Sequence, residues 1–314
     1  MRNLIAVVTR LSPDDEAAWV KRLAMMMPSE RVVGFGALSD SERAHVDIAI
    51  VANPDPADLL QLPALTWIHS LWAGVERLVS EFGSATKPIV RLVDPQLSRT
   101  MAEAVLAWTY YVFRDMPAYA MQQRERTWKQ LPYRRADDVT VGILGLGALG
   151  AAAALRLRDA GFNVVGWSKS PKQLPDIETH AGFQRLDGVL AKADILVCLL
   201  PLTAETSGMV DAEFLSRLKS GVSLINFARG RIIVTADLLA ALDRGQIKHA
   251  VLDVFEIEPL PADDPIWRHP SITVLPHISA PTDANTAAAI VAANIADYRS
   301  NGRLPPTVSI EKGY

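Results

Sequence analysis

The chain has 314 residues, 49% of them hydrophobic, and a formal net charge of −3. That length favours two domains and supplies enough apolar residues to bury a core in each. The lack of a global basic field argues against nucleic acid or an anionic membrane surface as a partner, so any bound anion must be held locally. The single cysteine, Cys198, rules out an intrachain disulfide framework and fits a reducing compartment. It lies in the apolar run "DILVCLLP" with no electropositive neighbour, which reads as a packed core residue rather than a nucleophile.

Short β-rich runs alternate with helix-patterned segments from the start of the chain. The opening "MRNLIAVVTR" is too short for a signal peptide and reads as a first strand. Strands are expected at "NLIAVVTR", "RVVGFG", "DIAIVA", "LTWIHS" and "PIVRL". A long helical pattern follows from Arg99 to Leu131, with Pro117 as a kink. A second series is expected at "VTVGILG", "FNVVGWS", "DILVCLLP", "VSLINFA", "HAVLDVF" and "ITVLPH", six strands in all. A last helix over "DANTAAAIVAANIADYRSNG" is closed by Gly302 and would return to the first domain. The pattern defines an α/β protein of two doubly wound parallel sheets.

The longest apolar stretch, "VGILGLGALGAAAAL", is too short for a membrane span and is broken by glycines. Gly145, Gly147 and Gly150 form G-x-G-x-x-G between a strand and a helix, the context in which such a loop cradles a pyrophosphate on Ala148, Leu149 and the helix N-terminus. The competing reading is a glycine-rich turn without a ligand. About 20 residues on, an aspartate would grip a ribose 2′-hydroxyl and repel a 2′-phosphate. The chain has "GWSKSPK" there, with Trp167 followed by Ser168, Lys169 and Ser170, and with Lys172 close behind. These are donors for a phosphate, so NADP(H) is the preferred cofactor and NAD(H) the alternative; the competing reading is a solvated polar turn.

Arg229 in "INFARGRIIV", Glu258 in "LDVFEIEPLP" and His277 in "ITVLPHISAP" each follow a strand of the second series. In an open α/β sheet that edge binds ligands. A surface ion pair, a loop carboxylate and a core histidine are the bland alternatives. His45, His69, His180, His249 and His269 have no metal-ligand spacing, and no metal site is expected.

In this order the motifs resemble the D-isomer-specific 2-hydroxyacid dehydrogenases over nearly the whole chain. "LPLTAETSGMV", "NFARG", "ALDRGQIKHAVLDVFEIEPLP" and "PIWRHPSITVLPHISA" carry the resemblance together. "SLWAGVE", the "GWSKS" turn and the terminal "GY" are most similar to the glyoxylate/hydroxypyruvate reductase A branch. The resemblance implies a Rossmann domain at 104–282 inserted in a flavodoxin-like substrate domain at 1–103 and 283–314. It also implies a dimerisation arm near 104–138, a homodimer in which Trp128 would reach the partner's site, and a cytoplasmic enzyme.

Arg229 would bind the substrate carboxylate and polarise the ketone, His277 would deliver the proton, and Glu258 would orient and charge His277. Ala73 and Gly74 would offer amides to the carboxylate, while Trp72 would shape the pocket or be a core aromatic. Cofactor contacts carried over by position are Leu200 and Pro201 at the adenine, Thr206 near the phosphates, Phe227 and Ala228 at the end of the fourth strand of the series, and Asp253 at the nicotinamide amide. The implied reaction is NADPH-dependent reduction of a small 2-oxoacid such as glyoxylate or hydroxypyruvate. A bulkier, phenylpyruvate-like 2-oxoacid and a non-catalytic dinucleotide-sensing protein are the alternatives.

Overall fold

The computed structural model describes residues 3–82 and 87–309. The terminal "GY", Gly313 and Tyr314, lies outside the described residues. The chain divides into two compact units, one formed by residues up to 96 together with those from 282 onward, the other by 97–281.

In the first unit, β1 (Leu4–Thr9), β2 (Arg31–Gly34), β3 (Val46–Ala52), β4 (Trp67–Ser70) and β5 (Ile89–Val90) form a parallel sheet in the order β2-β1-β3-β4-β5. This is the flavodoxin-like order. Alternation along β1 decides which face each residue covers. Ile5 and Val7 pack with Trp19 and Leu23 of α1 (Pro13–Met26) and with Ala287, Ala288 and Val291 of α11 (Ala284–Asn301). Leu4, Ala6 and Val8 pack on the other face with Leu59 and Leu78. Both helices start on capping side chains, Ser12 accepting the Asp15 amide and Asp283 those of Asn285 and Thr286.

The second unit holds β6 (Thr140–Leu144), β7 (Asn163–Ser168), β8 (Glu178–Ala181), β9 (Ile195–Cys198), β10 (Val222–Asn226), β11 (Ile247–Leu252) and β12 (Ile272–Val274). All are parallel, in the order β12-β11-β10-β9-β6-β7-β8. The order reverses at β6, as in a dinucleotide fold. Strands buried on both faces read as continuous apolar runs, and Ile195–Cys198 is buried throughout. Burial pushes the Cys198 thiol up to about 12, in keeping with a core residue.

Three expectations are corrected. The sheet has seven strands rather than six; β8, "ETHA", pairs only with β7 and lies at the sheet's edge, so it carries no apolar run to betray it. The long helix is two, α5 (Pro95–Phe113) and α6 (Met116–Arg124). They are separated at Asp115, which takes φ +54°. Pro117 therefore opens a helix instead of kinking one, as its locked φ and missing N–H allow in a first turn. Beyond Arg124 the helix does not continue to Leu131; Arg126 takes φ +55°, and Pro132 disfavours a helical residue before it. The first boundary falls at 96/97, not 103/104, because Met101 and Ala102 of α5 pack with Val141, Ile143 and Ala153 in the second unit's core.

No described helix is long and apolar enough to cross a membrane. In the first unit the Arg299 guanidinium joins α11 to β3, donating to Glu30 (3.1 Å) and to both carboxylate oxygens of Asp47. Glu30 is only 8% exposed, so losing its partner strands a nearly buried charge. Arg299→Ala is expected to lower the unfolding free energy by about 2–3 kcal/mol, somewhat below the cost of breaking a fully buried pair, in urea denaturation.

Candidate active site

The larger sheet delivers its loops to one edge, beginning with the glycine loop. Gly145, at φ +99°, has no room for a side chain: a Cβ would lie 2.6 Å from the Leu199 carbonyl oxygen. A Cβ on Gly150 would sit 1.7 Å from the Gly145 oxygen, so α7 (Ala148–Asp159) packs hard against the turn. Gly147, the N-cap of α7, has nothing within 4 Å of where its Cβ would be. That open backbone, beside the first-turn amides of Ala148, Leu149 and Gly150, fits a pyrophosphate.

At the end of β7, Trp167 is a core side chain, 1% exposed, with its indole N–H donated to the Gly182 carbonyl (2.8 Å). Its backbone carbonyl serves the site by accepting the Gly145 amide (2.8 Å). Ser168 is buried and donates its hydroxyl to the Ser170 carbonyl (2.6 Å), while Lys169 and Ser170 are exposed. The Lys169 ammonium donates to Glu205 (2.6 Å) in the loop after β9. In that loop Leu200 is buried and Pro201 half-buried. The Thr206 hydroxyl closes the loop, donating to the Pro201 carbonyl (2.7 Å) and accepting the Thr203 amide (2.8 Å).

After β10, Phe227 and Ala228 are buried. The Asn226 side chain accepts the Ala228 amide (3.1 Å) and donates to the Arg229 carbonyl (3.1 Å), which fixes the turn carrying Arg229. Arg229 is half-buried, its guanidinium donating to the Ala228 carbonyl (2.6 Å). Gly230 lies so close to the next loop that a Cβ would be 1.9 Å from the Phe255 carbonyl carbon and 2.4 Å from the Glu256 nitrogen. Only glycine lets those two loops meet.

Glu258 uses both oxygens. One accepts the Phe255 amide (2.9 Å), and the other is 2.7 Å from His277 Nδ1. A carboxylate there makes Nδ1 the protonated nitrogen and leaves Nε2 without a partner among the described residues. The His277 pKa is raised, chiefly by the hydrogen bond to Glu258 and against the burial that lowers it. Burial pushes the Glu258 carboxyl up, but the bond from His277 and the Phe255 amide outweigh it, and its pKa is lowered. The Arg229 charge acts on both groups, lowering both values. Arg229, Glu258 and His277 are thus brought into one electrostatic cluster.

His277 itself takes φ +54°, an uncommon conformation for a residue with a Cβ. Asp253 holds it there. The His277 amide donates to the Asp253 carbonyl (3.0 Å), and the Asp253 carboxylate accepts the amides of Ile278 (2.7 Å) and Ser279 (2.9 Å). Asp253 is 2% exposed, so this support is internal.

In the first unit, Trp72, Ala73 and Gly74 follow β4 and are each half-buried. Trp72 packs edge-on against Trp19, with ring centroids 6.2 Å apart, and its amide donates to the Ser70 hydroxyl (3.0 Å). The amides of Ala73 and Gly74 have no acceptor among the described residues. Elsewhere, burial holds His69 and His249 down to about 4. No group of three His, Cys, Asp or Glu among the described residues could hold a metal ion.

Sequence reasoning missed Asn226, Gly230 and Glu205. The first two sit in or beside "NFARG" and were legible as turn residues; the partner of Lys169 was not, because it lies 36 positions away.

Residues 106–279 match the family model for the D-isomer specific 2-hydroxyacid dehydrogenase NAD binding domain. A D-isomer specific 2-hydroxyacid dehydrogenase from Xanthobacter autotrophicus Py2, solved with NADPH and MES, is 35% identical over 100% of both chains, with a TM-score of 0.91. An NADPH-dependent glyoxylate/hydroxypyruvate reductase from Sinorhizobium meliloti, solved with NADP and sulfate, is 33% identical over 99% of this chain and 100% of its own, with a TM-score of 0.91. A probable 2-hydroxyacid dehydrogenase from Rhizobium etli, solved with NADP, HEPES and L(+)-tartaric acid, is 33% identical over 100% of both chains, with a TM-score of 0.90. The chain belongs to the D-isomer specific 2-hydroxyacid dehydrogenase family, and its larger unit carries the family's NAD-binding domain.

The His277–Glu258 bond gives a direct expectation. A raised histidine pKa means the charged ring persists above its ordinary value and is lost as pH rises through the raised one. In Glu258→Gln the main cause of the rise is gone while burial remains. The His277 titration followed by NMR should move to lower pH; an unmoved midpoint would show that Glu258 does not control it.

Proposed function

We propose that the chain reduces small 2-oxoacids, glyoxylate and hydroxypyruvate, to 2-hydroxyacids with NADPH. The observation that carries the reading is the Arg229–Glu258–His277 cluster at the same sheet edge as the glycine loop. Bound nicotinamide cofactor would supply the hydride for the substrate's C2. Arg229 binds the substrate carboxylate and draws electron density from the ketone; its half-buried position strengthens the attraction relative to open water. Nε2–H of the charged His277 ring donates a proton to the carbonyl oxygen, and Glu258, which accepts Nδ1–H, orients the ring and favours its charge. In the reverse direction neutral His277 takes the hydroxyl proton. In the first unit taken by itself, the amides of Ala73 and Gly74 are proposed as carboxylate donors and Trp72 as a substrate-side ring.

For the cofactor, the open Gly147 backbone and the amides of Ala148, Leu149 and Gly150 take the pyrophosphate. Ser168, Lys169 and Ser170 take the 2′-phosphate, with no acidic residue at the end of β7 to refuse it. Leu200 and Pro201 line the adenine side, and Thr206 shapes the loop near the phosphates. Phe227 and Ala228 border the nicotinamide half. Each Asp253 oxygen keeps a lone pair after accepting one amide, and Asp253 is proposed at the nicotinamide carboxamide.

The assembly proposed is a homodimer through the arm of α5, α6 and the segment after them. Its support is apolar exposure on that arm: Trp128 is 97% exposed and Tyr133 73%. A cytoplasmic setting is proposed from the single buried thiol.

Initial rates on a panel of 2-oxoacids test the substrate reading. Glyoxylate and hydroxypyruvate should be turned over with higher kcat/KM than phenylpyruvate; no oxidation of NADPH with any 2-oxoacid would leave a dinucleotide-binding protein. Charge-assisted hydrogen bonds of about 1.5–3 kcal/mol imply a roughly tenfold to hundredfold preference for NADPH over NADH. Lys169→Asp should shrink or reverse that ratio, and equal efficiency of the native protein with both cofactors would contradict the assignment.

Arg229→Lys keeps the charge but loses the planar fork. Substrate KM should rise and kcat fall while NADPH affinity stays nearly unchanged. Unaltered kinetics on glyoxylate would remove Arg229 from the site.

A further inference from the structure

Lys169 does not stand as an isolated ammonium at the end of β7. Its Nζ lies 2.6 Å from Glu205 Oε2, and the pair joins the loops that leave β7 and β9, the two strands flanking β6 and its glycine loop. Glu205 is held in place by its own loop: Thr206, the next residue, is buried and bonded to the Pro201 carbonyl and the Thr203 amide. Ser168, the other donor closest to the strand, commits its hydroxyl proton to the Ser170 carbonyl (2.6 Å). Of the three residues offered to the 2′-phosphate only Lys169 is charged, so the discrimination between the two cofactors turns chiefly on Lys169, and Lys169 already serves a carboxylate.

We propose that Glu205 is a specificity-determining residue that works against the 2′-phosphate and so sets the NADPH/NADH ratio below what Lys169 alone would give. The proposal rests on the cofactor reading above. A 2′-phosphate bound by Lys169 must either take the ammonium from Glu205 or share it. An ammonium has three donors and can serve both, but the phosphate dianion and the carboxylate then repel each other across it. The 2′-hydroxyl of NADH carries no charge and leaves the Lys169–Glu205 pair as it stands. Glu205 thus taxes one cofactor and not the other. Both side chains are half or more exposed, 60% and 50%, so solvent screens the effect and salt weakens it further.

The test is equilibrium binding of NADP+ and NAD+ to the full chain by titration calorimetry at low ionic strength, which needs no turnover. Glu205→Gln keeps the size and an acceptor oxygen while removing the charge. NADP+ should bind about 1.4- to fivefold more tightly to this variant, the size of an exposed charge–charge effect, with NAD+ affinity unchanged. In a Lys169→Met background the same Glu205 substitution should change the NADP+/NAD+ ratio far less, because the ammonium that brings phosphate and carboxylate together is gone.

An unchanged ratio in Glu205→Gln, an equal change for both cofactors, or weaker NADP+ binding would each overturn the proposal. The parent reading fails separately. If Lys169→Met itself leaves the ratio of the native protein unaltered, Lys169 does not read the 2′-phosphate; if Lys169→Met lowers the ratio and Glu205→Gln does not raise it, only the role of Glu205 is lost.

Discussion

The larger sheet depends on one constraint: its seven strands all run in the same direction. Parallel pairing sends every chain reversal through a crossover, so each strand ends at the same edge and contributes its loop there. Residues separated by more than 130 positions, from the glycine loop to His277, are gathered at that edge without any long-range contact designed for the purpose. Backbone packing then sets the distances. Gly145 and Gly150 let α7 close on its turn, and Gly230 lets the Arg229 turn touch the loop that ends in Glu258. Any side chain at these positions would move a loop by more than the tolerance of a hydrogen bond.

The strained residue of the site is its histidine. A left-handed histidine persists only where its surroundings over-determine it, and three bonds to Asp253 do so here. Asp253 thereby fixes the backbone of His277, while Glu258 fixes its ring. With Nδ1 committed to a carboxylate, Nε2 is the nitrogen without a partner among the described residues, and the raised pKa favours the charged ring in which Nε2 is a donor. This is the separation of roles expected of a general acid whose charge is set by a neighbour.

Much of this arrangement was legible in the sequence because its signals are local. The two strand series, the G-x-G-x-x-G turn and the missing acid after "VVGW" are each read within about 20 residues, and the sheets, with β6 at the switch point, follow the reading. What failed were features decided by partners elsewhere. The strand "ETHA" has no apolar alternation because only one neighbour pairs with it. The break at Asp115 is set by a backbone conformation that an aspartate takes only in context, so Pro117 looked like a kink. The Trp167 ring lies in the core, which leaves its backbone, whose carbonyl accepts the Gly145 amide, as the part that faces the glycine turn. The carboxylate partner of Lys169 was not legible because Glu205 lies 36 positions away.

The central claim is that this edge of the sheet passes a hydride to a 2-oxoacid while His277 supplies the proton. It is tested most directly by reducing hydroxypyruvate with NADPH deuterated at C4 of the nicotinamide, using the two C4-deuterated epimers in turn. The account predicts that one epimer places its deuterium at C2 of the glycerate formed and the other does not, with the product a single enantiomer, the D form expected of the family. Deuterium absent from C2 with both epimers, or a racemic product, would contradict it.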